Sequence, residues 1–280
     1  MRGGARGLLY LVGTPIGNTG DLSPRAKEVL SSVDLIACED TRRTGLLLSE
    51  FGIRGDLISY HEHNKAAKGE VLIRKLKEGL DIALVSDAGM PSISDPGEDL
   101  VKQCIANVLP VSVVPGPVAA ITGLVLSGLD TTHYHFEGFL PSESGPRRER
   151  LEFLTKVKET MILYEAPHRL NKLIDELIAC GFSDSSAAFC RELTKKYEEV
   201  IRLKVCEAKD HFGKNAPRGE FVVCLEPIRE EKVYSDDEID SLIRKFSEEG
   251  MSTKQIAGEI SSITGRNKKE MYSYILNMLK

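Results

Sequence analysis

Three glycine- and proline-rich segments each follow a short apolar run. They are Gly13-Thr14-Pro15-Ile16-Gly17-Asn18, then Ser86-Asp87-Ala88-Gly89-Met90-Pro91-Ser92-Ile93-Ser94-Asp95-Pro96-Gly97, then Val114-Pro115-Gly116-Pro117-Val118-Ala119-Ala120. Glycines just past a strand let backbone approach a ligand at the carboxyl edge of an open sheet, where such folds bind ligands. The first segment is neither GxGxxG nor a phosphate-binding Gly-Lys-Ser/Thr loop. The second packs two acids, two prolines and two glycines into twelve residues, which marks a loop with a purpose. In the third, small residues open an apolar helix and leave room for a ligand at its start. Glu39-Asp40-Thr41-Arg42-Arg43 also follows an apolar run, so it emerges on the same edge. An acid there suits proton transfer or orientation of a hydroxyl, and Arg42 and Arg43 suit phosphate. His61 and Asn64 are the other candidates, with loop-organising hydrogen bonds as the alternative role for Asp40 and His61. His133, His135 and His211 read as structural or exposed.

These segments need a sheet to carry them. Apolar runs at 8–12, 35–38, 82–86 and 111–114 alternate with helical patterns, the first from 23 to 32 with Ser23 as cap and Pro24 in the first turn. Unbroken apolar strands alternating with helices imply a mainly parallel sheet covered on both faces. Past residue 130 a linker leads into a second set: helices at 147–157 and 168–180, strands at 161–164, 187–190 and 221–225. A second linker is expected at 227–235. The remainder is helical, at 236–249, 253–264 and 268–279, with Gly250 and Gly265 at C-cap positions and a helix-turn-helix-like turn after Gly250. The expected domains are 1–130, 131–230 and 231–280.

Of 280 residues, 41% are hydrophobic and 28% charged, which excludes a disordered chain. The net charge of -5 excludes a generally polycationic nucleic-acid coat but not a local basic patch. The six cysteines form no CxxC pair and read as small buried thiols in a reducing compartment, so no metal is expected. Residues 1–7 lack a signal-peptide core, and the uncharged stretch 103–129 is divided by Pro110, Pro115 and Pro117. The expected location is the cytoplasm, with no membrane partner.

The chain resembles the tetrapyrrole methylase superfamily, and within it the branch that 2′-O-methylates a cytidine of bacterial small-subunit (16S) ribosomal RNA. The likeness runs through residues 9–18, Glu39-Asp40-Thr41-Arg42, Ser59-Tyr60-His61-Glu62-His63-Asn64, the 86–97 loop and Pro115-Gly116-Pro117. Tyr164-Glu165-Ala166-Pro167-His168-Arg169 and Arg191-Glu192-Leu193-Thr194-Lys195 complete it. It covers about 8–227, and the helical tail is similar to the one this branch carries. Thr19, where a leucine-like residue is usual, and Cys38, where alanine is usual, depart from the pattern.

The resemblance implies two α/β domains with an S-adenosylmethionine cleft between them plus a helical tail, and a homodimer acting on 16S ribosomal RNA within the small subunit. It implies cofactor contacts from Pro15, Ser86, Asp87, Ala88, Gly89, Ile93, Ser94, Asp95, Pro115, Gly116, Pro117 and Ala120. From the second domain it implies Tyr164, Glu165, Ala166, Pro167 and the stretch 218–220 around Gly219. With RNA as substrate, Asp40, Arg42 and His61 become the catalytic candidates. Arg42, Arg43, Asn64, Arg147, Arg148 and Lys195 become phosphate or RNA contacts, with a solvated helix face as the alternative for the 147–150 cluster. Two other readings compete: a methylase of a tetrapyrrole or other small molecule, and a nucleic-acid-binding regulator. Against the regulator, the tail from 233 on carries seven basic and eight acidic residues, and a DNA-reading helix should be more basic.

Overall fold

In a computed structural model of the protein, residues 6–228 and 234–278 are described. The expected linker over 227–235 therefore lies mostly outside the described residues, as do residues 1–5 and 279–280. The chain divides into two compact units, one ending at residue 228 and the other beginning after it. Both sheets expected as separate domains fall within the first unit.

The first sheet is parallel, in the order β3-β2-β4-β1-β5. Its strands are β1 (Leu9–Val12), β2 (Leu35–Cys38), β3 (Leu57–Ser59), β4 (Ile82–Val85) and β5 (Val111–Val114). Inner strands buried on both faces must be apolar at every position, which is why β2 and β4 read as unbroken runs. Alternate residues enter two cores. Leu9, Leu11, Leu35, Ala37, Ile82 and Leu84 pack under α3 (Lys65–Lys77) and α4 (Glu98–Ala106). Val12, Ile36, Cys38, Ala83 and Val85 pack under α1 (Pro24–Ser32) and α2 (Thr41–Glu50). Ser23 caps α1, its Oγ accepting from Ala26 N at 3.1 Å. β3, three residues long, has too few positions for a periodic signal; pairing with β2 creates it.

The chain leaves β1 towards β2 but leaves β4 towards β5, on the opposite side of β1. The carboxyl ends of β1 and β4 therefore form the crevice where the strand order reverses, the position at which open sheets bind ligands. Thr14 and Gly89 pin it with two backbone hydrogen bonds of 2.9 and 3.1 Å.

The second sheet is mixed, in the order β6-β7-β10-β8-β9. Its strands are β6 (Tyr134–Phe139), β7 (Thr160–Glu165), β8 (Ser186–Arg191), β9 (Glu199–Lys204) and β10 (Phe221–Leu225). Only the β6–β7 pair is parallel. One face holds α6 (Ser144–Leu154), α7 (Pro167–Ala179) and α8 (Val205–Lys214); the other is covered by α5 (Ala119–Ser127). A Cβ on Gly123 would come within 2.8 Å of Val222, so α5 lies against this sheet backbone-close. The strand β9 was not expected, because Glu199-Val200-Ile201-Arg202-Leu203-Lys204 interleaves charges with apolar residues, the pattern of a half-solvated edge.

One sequence expectation is corrected here. Arg147 does not face RNA: its side chain is 2% exposed, with Nε donating to Glu176 at 2.8 Å and Nη2 3.3 Å from Glu165. Glu165 is 1% exposed and also meets Arg169 Nε at 3.1 Å. A carboxylate that deep is tolerated only with such partners. Arg148, its neighbour, is exposed.

The second unit is a bundle of α9 (Asp236–Glu248), α10 (Thr253–Thr264) and α11 (Lys268–Met278). Ser235 with Glu238 and Ser252 with Gln255 form reciprocal capping boxes, and Gly265 ends α10 in the left-handed region at φ 70°. Ile239, Ile243, Ile256, Ile260, Met271 and Ile275 make its core. Among the described residues, no helix is long and apolar enough to cross a membrane.

Candidate functional site

The loops leaving β1, β4 and β5 meet where the strand order reverses. Gly13 and Gly116 touch backbone to backbone: a Cβ on Gly13 would lie 2.6 Å from Gly116 Cα, and one on Gly116 2.8 Å from Gly13 Cα. The 86–97 loop holds Ser92 and Ser94 at φ 72° and 62°. Glu192 and Thr194, in the loop after β8, sit at φ 50° and 65°. Such non-glycine conformations cost free energy and persist where a site over-determines them. The two strained loops flank one crevice, and Asn18 N donates to Thr194 Oγ1 at 3.1 Å across it.

The crevice encloses a cavity of about 580 Å³. The loop after β4 lines it with Asp87, Ala88, Gly89, Met90, Ile93, Ser94 and Asp95; the start of α5 adds Val118 and Ala119, and Ile16 closes one side. The second sheet contributes Phe139, residues 164–168 and residues 220–222. Tyr164 ties the halves together: its Oη accepts from Ala120 N at 3.0 Å, and Phe136 and Phe139 pack edge-on against its ring.

The polar floor is acidic. Burial, then Glu39 and Asp87, push the Asp95 carboxyl up to about 6. Burial, then Asp87, also raise Glu39. A carboxyl whose ionisation is opposed by its surroundings gains most from a buried cation, so the cavity's volume and its acid fit a cationic cofactor such as S-adenosylmethionine. A smaller cavity of about 260 Å³ adjoins it, sharing Ile16, Arg43, Asp87, Ala88 and Glu220, and adding Pro15, Thr44, Ser86 and Lys195. Asp87 accepts from Asp40 N at 3.1 Å and from Arg43 Nη1 at 3.0 Å. Lys195 bridges Glu192 at 3.0 Å and Glu220 at 2.7 Å.

The structure brings Asp87–Gly89, Ile93–Asp95 and residues 164–167 to the larger cavity, and Pro15, Ser86 and Lys195 to the smaller one. Pro115, Gly116, Pro117, Ala120 and Gly219 line neither. Of these, Gly116 supports Gly13 and Ala120 N engages Tyr164 from outside the cavities. Asp40 caps α2: it accepts from Arg42 N at 2.8 Å and pairs with the Arg42 guanidinium at 3.1 Å. The Arg42 side chain, then its backbone N–H, lower Asp40 to about 2, which makes it a weak proton acceptor. Arg42 itself projects into solvent. His61 and Asn64 line neither cavity. Asn64 Oδ1 accepts from His61 N at 2.9 Å, and Asn64 Nδ2 lies 3.1 Å from His61 Nε2, so the two fold their own loop.

Val118, Ala119 and His168 lie inside the 114–120 and 164–169 segments read from sequence; Phe139 and Val222 were not singled out and carry no local signal, being strand residues aimed by the second sheet.

The family model of the tetrapyrrole (corrin/porphyrin) methylases matches residues 8–209. Curated relatives named ribosomal RNA small subunit methyltransferase I match nearly end to end. One from Synechocystis sp. is 41% identical, covering 97% of this chain and 98% of its own. One from Escherichia coli O157:H7 is also 41% identical, covering 97% and 96%. Among solved structures, cobalt precorrin-4 methyltransferase aligns with a TM-score of 0.60 at 16% identity, over 78% of this chain and 94% of that one. Uroporphyrin-III C-methyltransferase from Thermus thermophilus, complexed with S-adenyl homocysteine, aligns at 0.57 and 20% identity, over 79% and 98%. These two likenesses show the fold.

Proposed function

Because the chain belongs to the tetrapyrrole (corrin/porphyrin) methylase family, we propose that it transfers a methyl group from S-adenosylmethionine to the ribose 2′-oxygen of a cytidine in 16S ribosomal RNA. The observation that carries this reading is the 41% identity, over nearly the whole length, to relatives named ribosomal RNA small subunit methyltransferase I.

When bound, S-adenosylmethionine supplies a methyl group on a positively charged sulfur. Asp95 and the strained Ser92–Ser94 segment would hold it in the larger cavity, with Tyr164 and Phe139 against its apolar surface. The acceptor ribose would enter by the smaller cavity, between Arg43 and Lys195, which carry the charge to meet its phosphates. A ribose hydroxyl is a weak nucleophile and must lose its proton during attack, at an approach of about 3 Å. Asp87 and Glu220 both line the two cavities. Glu220 is held by Lys195, and Asp87, on the cofactor loop after β4, is the carboxylate assigned to orient the 2′-hydroxyl and accept that proton. Asp40 N and Arg43 fix its oxygens for the task.

The substrate would be the small subunit itself, met in the cytoplasm. The chain would work as a homodimer, because Val113 on the free edge of β5 and Ile121 and Val125 on the outer face of α5 leave an apolar surface uncovered.

The test is methyl transfer from labelled S-adenosylmethionine to small subunits lacking modification, with nucleoside mass analysis. Ribose-methylated cytidine is the expected product, and Asp87→Asn should lower the rate about 100-fold. Label in neither subunits nor free RNA, with the cofactor still bound, would overturn the reading in favour of a small-molecule methylase.

A further inference from the structure

A third cavity opens at the same end of the second sheet, and no step above uses it. Strand register carries four residues across that end in one row: Glu165 opposite Phe221, Phe221 opposite Arg191, Arg191 opposite Glu199. Opposite residues of antiparallel pairs share a face, so all four line the same side. Glu165 and Phe221 belong to the cofactor cavity; Arg191 and Glu199 belong to the third cavity, of about 330 Å³. With strands about 4.8 Å apart, the two cavities are separated by roughly 10 Å.

The third cavity is basic over an apolar floor of Ile201 and Phe212. Arg191 Nη1 donates to Glu199 at 2.8 Å, but its Nε is buried with no acceptor. The buried Nε–H leaves the guanidinium under-satisfied, and the exposed part of the Arg191 side chain, 28% accessible, lines the cavity where an oxyanion can meet it. Arg218, exposed beside it, has no ion pair among the described residues. Two arginines therefore face one glutamate, leaving a net positive charge. The two cavities are joined by one short turn. Gly219 sits at φ +82°, where a Cβ would come within 2.6 Å of the Glu192 side chain. That turn sends Arg218 into the third cavity and Glu220 into the cofactor cavity; Arg218, expected from the family resemblance near the adenosine, is directed elsewhere.

We infer that Arg191 and Arg218 bind a backbone phosphate of the ribosomal RNA close to the methylated nucleotide. The inference rests on RNA being the substrate. It gives this net-acidic chain a phosphate grip on the second sheet, separate from Arg43 and Lys195 at the acceptor cavity.

The experiment compares wild type, Arg218→Glu and Arg218→Lys in binding a short single-stranded RNA and small subunits across a salt series. Loss of one phosphate contact makes log K less steep against log salt by about 0.7. Arg218→Glu should show that change and raise KM for subunits about tenfold, whereas Arg218→Lys should keep the wild-type slope. A merely structural role would move neither slope nor rescue. Wild-type slope and KM in a folded Arg218→Glu protein would overturn the inference. So would binding of inorganic phosphate that Arg218→Glu abolishes while RNA binding is unchanged, which would assign the site to a free anion. Failure of the methylation reading shows separately, as absence of ribose label with the wild-type protein.

Discussion

The two sheets of the first unit solve the placement of charge in opposite ways. The parallel sheet is apolar through its inner strands and carries its acids on loops: Glu39, Asp87 and Asp95 all lie past strand ends. The mixed sheet takes charge inside, with Arg147, Glu165, Glu176 and Arg169 paired beneath it. Charges on loops can answer a ligand, because the scaffold does not depend on them. Charges built into a scaffold must stay paired for it to hold. Substitutions in the first sheet's loops should therefore change chemistry, and those in the second sheet's network should change stability.

The largest expected effect tests the second half of that contrast. Arg147→Met leaves Glu165 with Arg169 as its remaining ion-pair partner beside the Ala166 N–H and should cost about 3 kcal/mol, lowering Tm by about 6 to 12 °C in thermal melts. An unchanged Tm would mean that Arg169 suffices. Next, Gly116→Ala drives a Cβ to within 2.8 Å of Gly13 Cα. Backbone lies on both sides and cannot yield cheaply, so we expect about 2 kcal/mol of destabilisation together with weaker cofactor binding, read by denaturation and calorimetry.

Asp95→Asn should weaken S-adenosylmethionine binding about tenfold at pH 7.5, or about 1.4 kcal/mol, with little change in Tm. The sign with pH follows from its raised pKa. Asp95 is protonated below about 6, and a cationic ligand binds its ionised form better. Wild-type affinity should therefore rise as pH climbs from 5 to 7, and the Asn variant should lose that rise. The smallest effect is expected from Asp40→Asn. Asparagine caps a helix as well as aspartate, so stability and rate should each change less than threefold. A large loss of rate would return Asp40 to the chemistry.

Legibility in the sequence followed burial. Strands β1, β2, β4 and β10 appear as apolar runs because both of their faces are covered. The loops of 13–18 and 86–97 were legible through glycines, prolines and acids that an ordinary connection would not need. β3 and β9 were not, one too short and the other half-solvated at an edge. Arg147 misled for a related reason. Arg147-Arg148-Glu149-Arg150 is a surface-like cluster in one dimension, and only the partners Glu165 and Glu176, 18 and 29 residues away, reveal that one member turns inward. Likewise nothing local in Glu39-Asp40-Thr41-Arg42 separates the acid that caps a helix from the acid that faces Asp87 and Asp95.

The amino-acid sequence by itself determined the alternation of strands and helices, the loops that carry ligand-binding glycines, and the helical tail with its capping boxes. Each rests on near neighbours: periodic burial, turn geometry and caps span only a few residues. Tertiary structure alone decided that Phe139, Tyr164 and Val222 meet the loop of 86–97 and that Asp87 lies between two cavities. It also decided that Arg191 and Arg218, 27 residues apart in sequence, line a third cavity. Those placements depend on strand order and register, where contacts join residues far apart in the chain and no local pattern records which of them will meet.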